Sequence, residues 1–210
     1  MISRGINGLP KVRDITWTAS DLIDFEDEVK KKYEDGKIRH PIHLSRGNEE
    51  QLIEIFQYVS EEDWVFSSWR NHYHALLHGV DPNYLMDQIV AGKSMSVSCQ
   101  NPRFYSSSIV GGIVPISLGA AYAISESMDD RMVWCFIGDM TFKTGLFHET
   151  HKLATGTILP IKFVVEDNNL STNTPTDSTW GLRQPIPSDV VYYEYDRGVP
   201  HHGTGNWILF

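Results

Sequence analysis

Three features of the chain predict an α/β fold, three layers deep, around a mostly parallel sheet. Two short apolar runs, Val133–Ile137 and Ile161–Val165, lack the polar alternation of a half-exposed strand and read as strands buried on both faces. Between them, residues 144–155 carry a helical pattern closed by Gly156. A strand, a helix and a second strand of this length normally make a right-handed parallel crossover. Upstream, Pro115–Ser127 contains Gly119, Ala120, Ala121 and Ala123, a small-residue helix suited to packing closely on a sheet.

The remaining elements follow in order. Residues 1–17 show no periodicity and read as an N-terminal arm, leaving 18–210 as one domain. Thr18 with Asp21 makes a capping box, and Leu22, Phe25, Val29 and Tyr33 recur at helical spacing until Asp35-Gly36. Asn48 is placed to cap a second helix over 48–59, whose Leu52, Ile55, Phe56 and Val59 share a face. Asp81-Pro82 opens a third, ending at Gly92. Residues 94–108 and 170–187 read as loops, 190–195 as a last strand, and Pro200–Gly203 as a turn beyond it. The apolar tail Trp207–Phe210 is expected to be covered, by its own sheet or by a partner.

Composition narrows the function classes. With 18 basic against 27 acidic residues the net charge is −9, which argues against nucleic-acid binding, because neutralising phosphates requires a basic face. No apolar stretch reaches the roughly 18 residues of a membrane span, and no signal-peptide core is visible at the N-terminus, so a cytoplasmic location is expected. Cys99 and Cys135 lack metal-ligand spacing, and Cys135 falls inside a buried-strand pattern. Neither a GxGxxG nor a GxxxxGK[ST] run is present, which disfavours a plain nucleotide-binding domain.

The chemistry concentrates where the two apolar runs end. The first stops at Gly138-Asp139-Met140 and the second at Glu166-Asp167-Asn168-Asn169, so a carboxylate and an amide, 29 positions apart, should meet at one edge of a parallel sheet. One hard anionic oxygen and one neutral oxygen suit Mg²⁺, which keeps few protein ligands and completes its octahedron with phosphate oxygens. An Asp after a strand-ending Gly is by itself just as often a helix cap. The companion Asn168 is what favours the cation.

At these residues the chain resembles a known family. GDMTFKTGLFHETHKLATGTILPIKFVVEDNN (138–169) is similar, without a gap, to the thiamine diphosphate fingerprint of the alpha subunits of 2-oxo acid dehydrogenases (pyruvate, branched-chain and acetoin types). HPIHLSRGNEE (40–50) resembles the family's HLxxGxEA segment, DWVFSSWRNHYHALLHG (63–79) its Asp…Arg-x-His segment, and SIVGGIVPISLGAA (108–121) its GIVGxxxPLGxG segment. The four blocks keep their order over about 170 of the 210 residues.

The resemblance implies a thiamine diphosphate-binding fold and a set of roles. Asp139, Asn168 and the Leu170 carbonyl would hold Mg²⁺, with Asn169 the alternative to Asn168. Gly138 and the backbone of Met140 and Thr141 would face the diphosphate, Arg70 would pair with its oxygens, and Trp69 would stand beside it. Ser108 and Val110 would meet the aminopyrimidine; His201 or His202 would contact phosphate or substrate. His72, His74 and His201 are candidates for polarising the substrate or relaying protons. Glu149 is poised between a solvated face and a supporting role.

Three departures qualify the match: Met140 replaces the second Gly of the usual Gly-Asp-Gly, the region after Asn169 is short, and the glutamate that activates the cofactor belongs to another domain in this family. The implied protein is therefore a diphosphate-binding alpha subunit acting on a 2-oxo acid or ketose and inactive alone. It would need a beta-type subunit carrying the pyrimidine-binding domain, in a hetero-oligomer such as a dimer of heterodimers. A transketolase-like or decarboxylase/synthase subunit, and a non-catalytic binding or assembly subunit, are the alternatives.

Overall fold

A computed structural model describes residues 5–6, 8–181 and 184–208. Its centre is a six-stranded sheet: β1 (Trp64–Ser67), β2 (Ser98–Cys99), β3 (Phe104–Ser106), β4 (Val133–Gly138), β5 (Ile161–Asp167) and, last in the chain, β8 (Val191–Glu194). Their spatial order is β2-β3-β1-β4-β5-β8, and every pairing is parallel except β2 with β3. The predicted α/β class and the buried strands at 133 and 161 are therefore observed.

Side-chain alternation along the strands splits the core in two. Val65, Trp134, Phe136, Val164, Val191 and Tyr193 face one layer, built from α1 (Ala19–Glu34), α2 (Glu49–Phe56), α3 (His72–His78) and α4 (Pro82–Gln88). Phe66, Val133, Cys135, Ile137, Phe163, Val165 and Tyr192 face the other, built from α5 (Ile113–Glu126) and α7 (Gly145–Gly156). Each fully buried Leu, Ile, Val or Phe contributes roughly 1.5–3 kcal/mol by leaving water. Burial also pushes the Cys135 thiol up to about 12, so it behaves as an apolar core group.

Local chemistry explains most boundaries. Thr18 and Asp21 exchange backbone and side-chain hydrogen bonds in the predicted capping box. Asp81 caps α4 at the Tyr84 amide, but the regular helix stops at Gln88 and a π-helical turn, Ile89–Lys93, carries the chain to Gly92 at φ 86°. Asn48 differs from expectation. It precedes α2 without capping it, because its amide donates instead to Glu166 and Tyr193. The single helix expected over 144–155 is preceded by a separate turn, α6 (Asp139–Phe142), because Thr144 breaks the run and caps α7 through the Phe147 amide.

Both expected loops hold structure. Residues 94–108 contain β2 and β3, and 170–187 contain a small hairpin, β6 (Leu170–Ser171) with β7 (Thr174–Pro175), followed by α8 (Thr176–Trp180). The arm is tied to the body: Arg13 donates to the carbonyls of Phe56 and Leu77, and the Val12 amide to that of Gln57. The expected cover over the tail is not found at Trp207, which is 90% exposed; Leu209 and Phe210 lie outside the described residues.

Candidate functional site

Strand order positions the site. From β1 the chain moves outward to β3 on one side, whereas β4, β5 and β8 extend the sheet on the other. The order reverses between β1 and β4, and in open α/β sheets the crevice beyond the carboxyl ends of such a pair is where ligands bind. Ser68, Trp69 and Arg70 leave the end of β1; Gly138, Asp139, Met140 and Thr141 leave the end of β4. All seven line one cavity of about 50 Å³, together with Asn48, Val110, Glu166, Asn168, Leu170, Ser171, Thr172, Tyr195, Arg197 and His201.

Asp139 is 3% exposed and accepts a hydrogen bond at Oδ2 from the Thr176 hydroxyl. Burial raises its carboxyl above the ordinary range, with the Thr176 bond pulling the other way. Asn168 stands on the neighbouring strand's exit, since β4 and β5 pair Gly138 with Glu166. Its Oδ1 accepts from the Leu170 amide at 3.0 Å and its Nδ2 donates to the Tyr195 hydroxyl at 3.0 Å. Asn169 turns the other way, capping α8 at the Asp177 amide and lining a second cavity of about 360 Å³ beyond Asn168 and Tyr195. Of the two asparagines, Asn168 is the one beside Asp139.

Arg70 supplies the positive side. Its guanidinium donates to the Leu44 carbonyl at 2.8 Å and to the His201 carbonyl at 2.9 Å, with His201 Nδ1 at 3.3 Å. Among the described residues no carboxylate forms an ion pair with it. Burial lowers its pKa to about 10, a sign that the charge is held where an anion would be welcome. Three buried polar atoms of cavity residues, Trp69 Nε1, Asn48 Oδ1 and Arg197 Nε, have no partner. A carboxylate and an amide that line the same crevice as a guanidinium form a donor set fitted to a divalent cation carrying phosphates. Among the described residues no cluster of three His, Cys, Asp or Glu side chains is placed to hold a metal, so the oxygens at Asp139 are not an all-protein cage.

The histidines divide. His201 lines the cavity, and its ring lies edge-on to His43 with centroids 5.0 Å apart. His202 is exposed and His43 is buried; burial, then Arg70, His201 and His202, push the His43 imidazole down to about 3. His72 and His74 were expected to reach a substrate, and the structure does not bring them there. His72 is fully buried between Glu26 (Nδ1 to Oε1 3.0 Å) and Ser94 (Nε2 to Oγ 3.0 Å). His74 is 1% exposed, its Nε2 is 3.1 Å from Glu166 Oε1, and its ring packs on Phe136. Both sit on the core side of α3, where residues one helical turn from the crevice point inward.

Of the other expected residues, Val110 reaches the cavity, and Ser108 is exposed outside its lining. Glu149 is exposed on α7 and does not line the cavity. Sequence reading missed Glu166 as the hub that accepts from Asn48, His74 and Tyr193. It also missed Tyr195, Arg197, Thr176 and His43. The signal for Tyr195 and Arg197 was present, since both follow the last strand and therefore leave the same edge as Asp139 and Asn168.

Comparison with known proteins shows the family. The family model for the dehydrogenase E1 component matches residues 18–189. The alpha subunit of the pyruvate dehydrogenase E1 component from Porphyra purpurea is 30% identical over 162 residues, 69% of this chain and 47% of its own length. That from Rickettsia bellii is 28% identical over 160 residues, 71% of this chain and 49% of its own. The alpha subunit of acetoin:2,6-dichlorophenolindophenol oxidoreductase from Bacillus subtilis is 28% identical over 165 residues, 74% of this chain and 50% of its own. The chain thus spans about half the length of the curated relatives it matches. The resemblance read from the sequence blocks to alpha subunits of 2-oxo acid dehydrogenases holds, and the chain belongs to the dehydrogenase E1 component family.

Proposed function

We propose that this chain is the part of a two-component 2-oxo acid dehydrogenase that holds the diphosphate end of thiamine diphosphate through Mg²⁺. The observation that carries the reading is the single crevice in which Arg70, from the end of β1, faces Asp139 and Asn168, from the ends of β4 and β5. Asp139, Asn168 Oδ1 and the Leu170 carbonyl would hold the cation, and Arg70 and Arg197 would bind phosphate oxygens. When bound, thiamine diphosphate supplies the electron sink that a 2-oxo acid needs to lose CO₂.

The chain's own residues bind and orient. Tyr195 fixes the Asn168 amide, and Glu166 with Asn48 closes the floor of the crevice. His201, beside Arg70 in the lining of the crevice, would be the histidine that meets a substrate. A beta-type partner would supply the activating glutamate, in a hetero-oligomer that leaves this chain inactive alone. Among the described residues no helix is long and apolar enough to cross a membrane, and a cytoplasmic setting is part of this reading.

A second reading, cofactor holding without turnover, draws support from Met140. Its sulfur accepts from Trp180 Nε1 at 3.1 Å where the family has a glycine, so the phosphate turn carries a side chain already engaged.

Calorimetry of the purified chain with thiamine diphosphate, with and without Mg²⁺, tests the site. Saturable binding that requires the cation is expected; its absence with the partner component present would defeat the reading. Assaying the mixture for 2-oxo acid decarboxylation against ketol transfer separates the 2-oxo acid reading from the transketolase-like one, and neither activity would favour the second reading.

A further inference from the structure

Arg70 has no regular structure of its own to hold it. It lies on the link 68–71 between β1 and α3, and one of its acceptors, the Leu44 carbonyl, belongs to the irregular stretch 41–46. Two such segments set the plane of a guanidinium only if something else fixes them against each other.

Glu26 is placed to do so. It comes from α1 and is 0% exposed. Its Oε1 accepts from the Ser45 amide at 2.9 Å and lies 3.0 Å from His72 Nδ1. Ser45 follows Leu44 directly, and His72 stands two residues after Arg70. A single oxygen therefore joins the segment that carries the acceptor to the segment that carries the guanidinium. Ser94 braces the second segment through the other ring nitrogen. Its hydroxyl is 3.0 Å from His72 Nε2, and its carbonyl accepts from Asn71 Nδ2 at 2.8 Å.

A carboxylate in the core is costly without such partners. Burial raises the Glu26 carboxyl above its ordinary range, with the His72 bond pulling the other way. An apolar side chain could fill similar space without that cost. Glu26 does not line the crevice, so any effect it has on a ligand passes through other residues. Its charge is also felt at Arg70, where it favours the charged guanidinium.

Resting on the function proposed above, we propose that Glu26 is a positioning residue for Arg70. By gripping Ser45 and His72 together it fixes the Leu44 carbonyl against the guanidinium, and so sets where the remaining N–H groups meet the diphosphate.

The test is a double-mutant cycle on the chain, alone and mixed with its partner component. Thiamine diphosphate with Mg²⁺ is titrated by calorimetry, and each variant is checked by circular dichroism. Glu26→Leu removes the joint. It should weaken cation-dependent binding about five- to tenfold in the wild-type background and less than about twofold in Arg70→Met. Glu26→Gln keeps an acceptor at the same place and should restore affinity to within about twofold of the wild type. If Glu26→Leu does not fold, Ser94→Ala runs the same cycle, with a loss of about threefold expected only where Arg70 is present. An equal loss in both backgrounds, no loss in either, or a glutamine variant as weak as the leucine one would overturn the positioning role and leave the site reading standing. If the wild type shows no cation-dependent binding, both fall.

Discussion

Asn168 donates its side-chain amide to the Tyr195 hydroxyl at 3.0 Å, and this bond fixes the orientation of the amide. Nδ2 is committed to Tyr195, and Oδ1, which accepts from the Leu170 amide, keeps a second lone pair that a cation could take. Tyr195 is itself held by burial, which raises its hydroxyl pKa and keeps it a neutral hydrogen-bonding group. Tyr195→Phe removes the bond and frees the amide to flip. Cation-dependent affinity for thiamine diphosphate should fall about five- to tenfold, the worth of one hydrogen bond, with little change in melting temperature. Calorimetry on the variant checks this; unchanged affinity would show that Asn168 is oriented by Leu170 alone.

Asp139 carries the opposite balance. Burial makes its ionised form costly in the ligand-free protein, which raises its pKa, and a cation would relieve that cost. Asp139→Asn therefore separates binding from folding. Cation-dependent binding should drop about tenfold or more, because a neutral amide replaces the one carboxylate ligand, while thermal stability without ligand stays level or rises. A variant with wild-type cation-dependent binding would remove Asp139 from the site.

How much of this was legible in the sequence depended on how local the cause was. Asp139 and Asn168 were readable because each ends a long apolar strand, and parallel pairing of consecutive strands then places them side by side. Strand β1 was not readable: Trp64–Ser67 is only four residues, buried largely on both faces, and offers no alternation. Yet β1 sits next to β4 and delivers Arg70. Asn48 looked like a helix cap because local spacing cannot reveal a partner 118 residues away at Glu166. The histidines mark the same limit. His72, His74 and His201 are alike as residues, and only the inward face of α3 separates the first two from the third. The hairpin was hidden for another reason, since Asn169 and Thr172 turn by adopting left-handed backbone rather than by Gly or Pro; α8, between Pro175 and Gly181, has only five residues and no apolar period.

Arg70 has two duties that one substitution should expose together. It bridges the Leu44 carbonyl, before α2, and the His201 carbonyl near the end of the chain, so it ties distant segments across the crevice mouth. Arg70→Met keeps the length of the stem and removes both bonds. Loss of charge-assisted hydrogen bonds to carbonyls should cost about 1.5–3 kcal/mol in chemical denaturation, and thiamine diphosphate affinity should fall by more than Tyr195→Phe causes. Arg70→Lys restores the charge without the fork and should recover stability only in part. Full recovery with lysine would mean that charge, and not the two-carbonyl bridge, is what matters.

The last prediction concerns acid stability at a residue far from the crevice. His78 is 1% exposed on α3, and Phe56 lies against it. Burial, then the charge of Arg13, push its pKa down to about 4 from 6.5. Between those values the unfolded chain binds a proton that the folded protein refuses, so stability is full above about pH 6.5 and is lost as pH falls toward 4. A single group of this kind contributes a slope of up to about 1.4 kcal/mol per pH unit within the window. Urea denaturation of the wild type and of His78→Leu at pH 7.0, 6.0 and 5.0 isolates it, because the other titrating groups are common to both proteins. The difference in stability should move in favour of His78→Leu by about 1 kcal/mol for each unit of acidification below 6. A difference that does not change with pH would show that His78 is protonated alike in the folded and unfolded states.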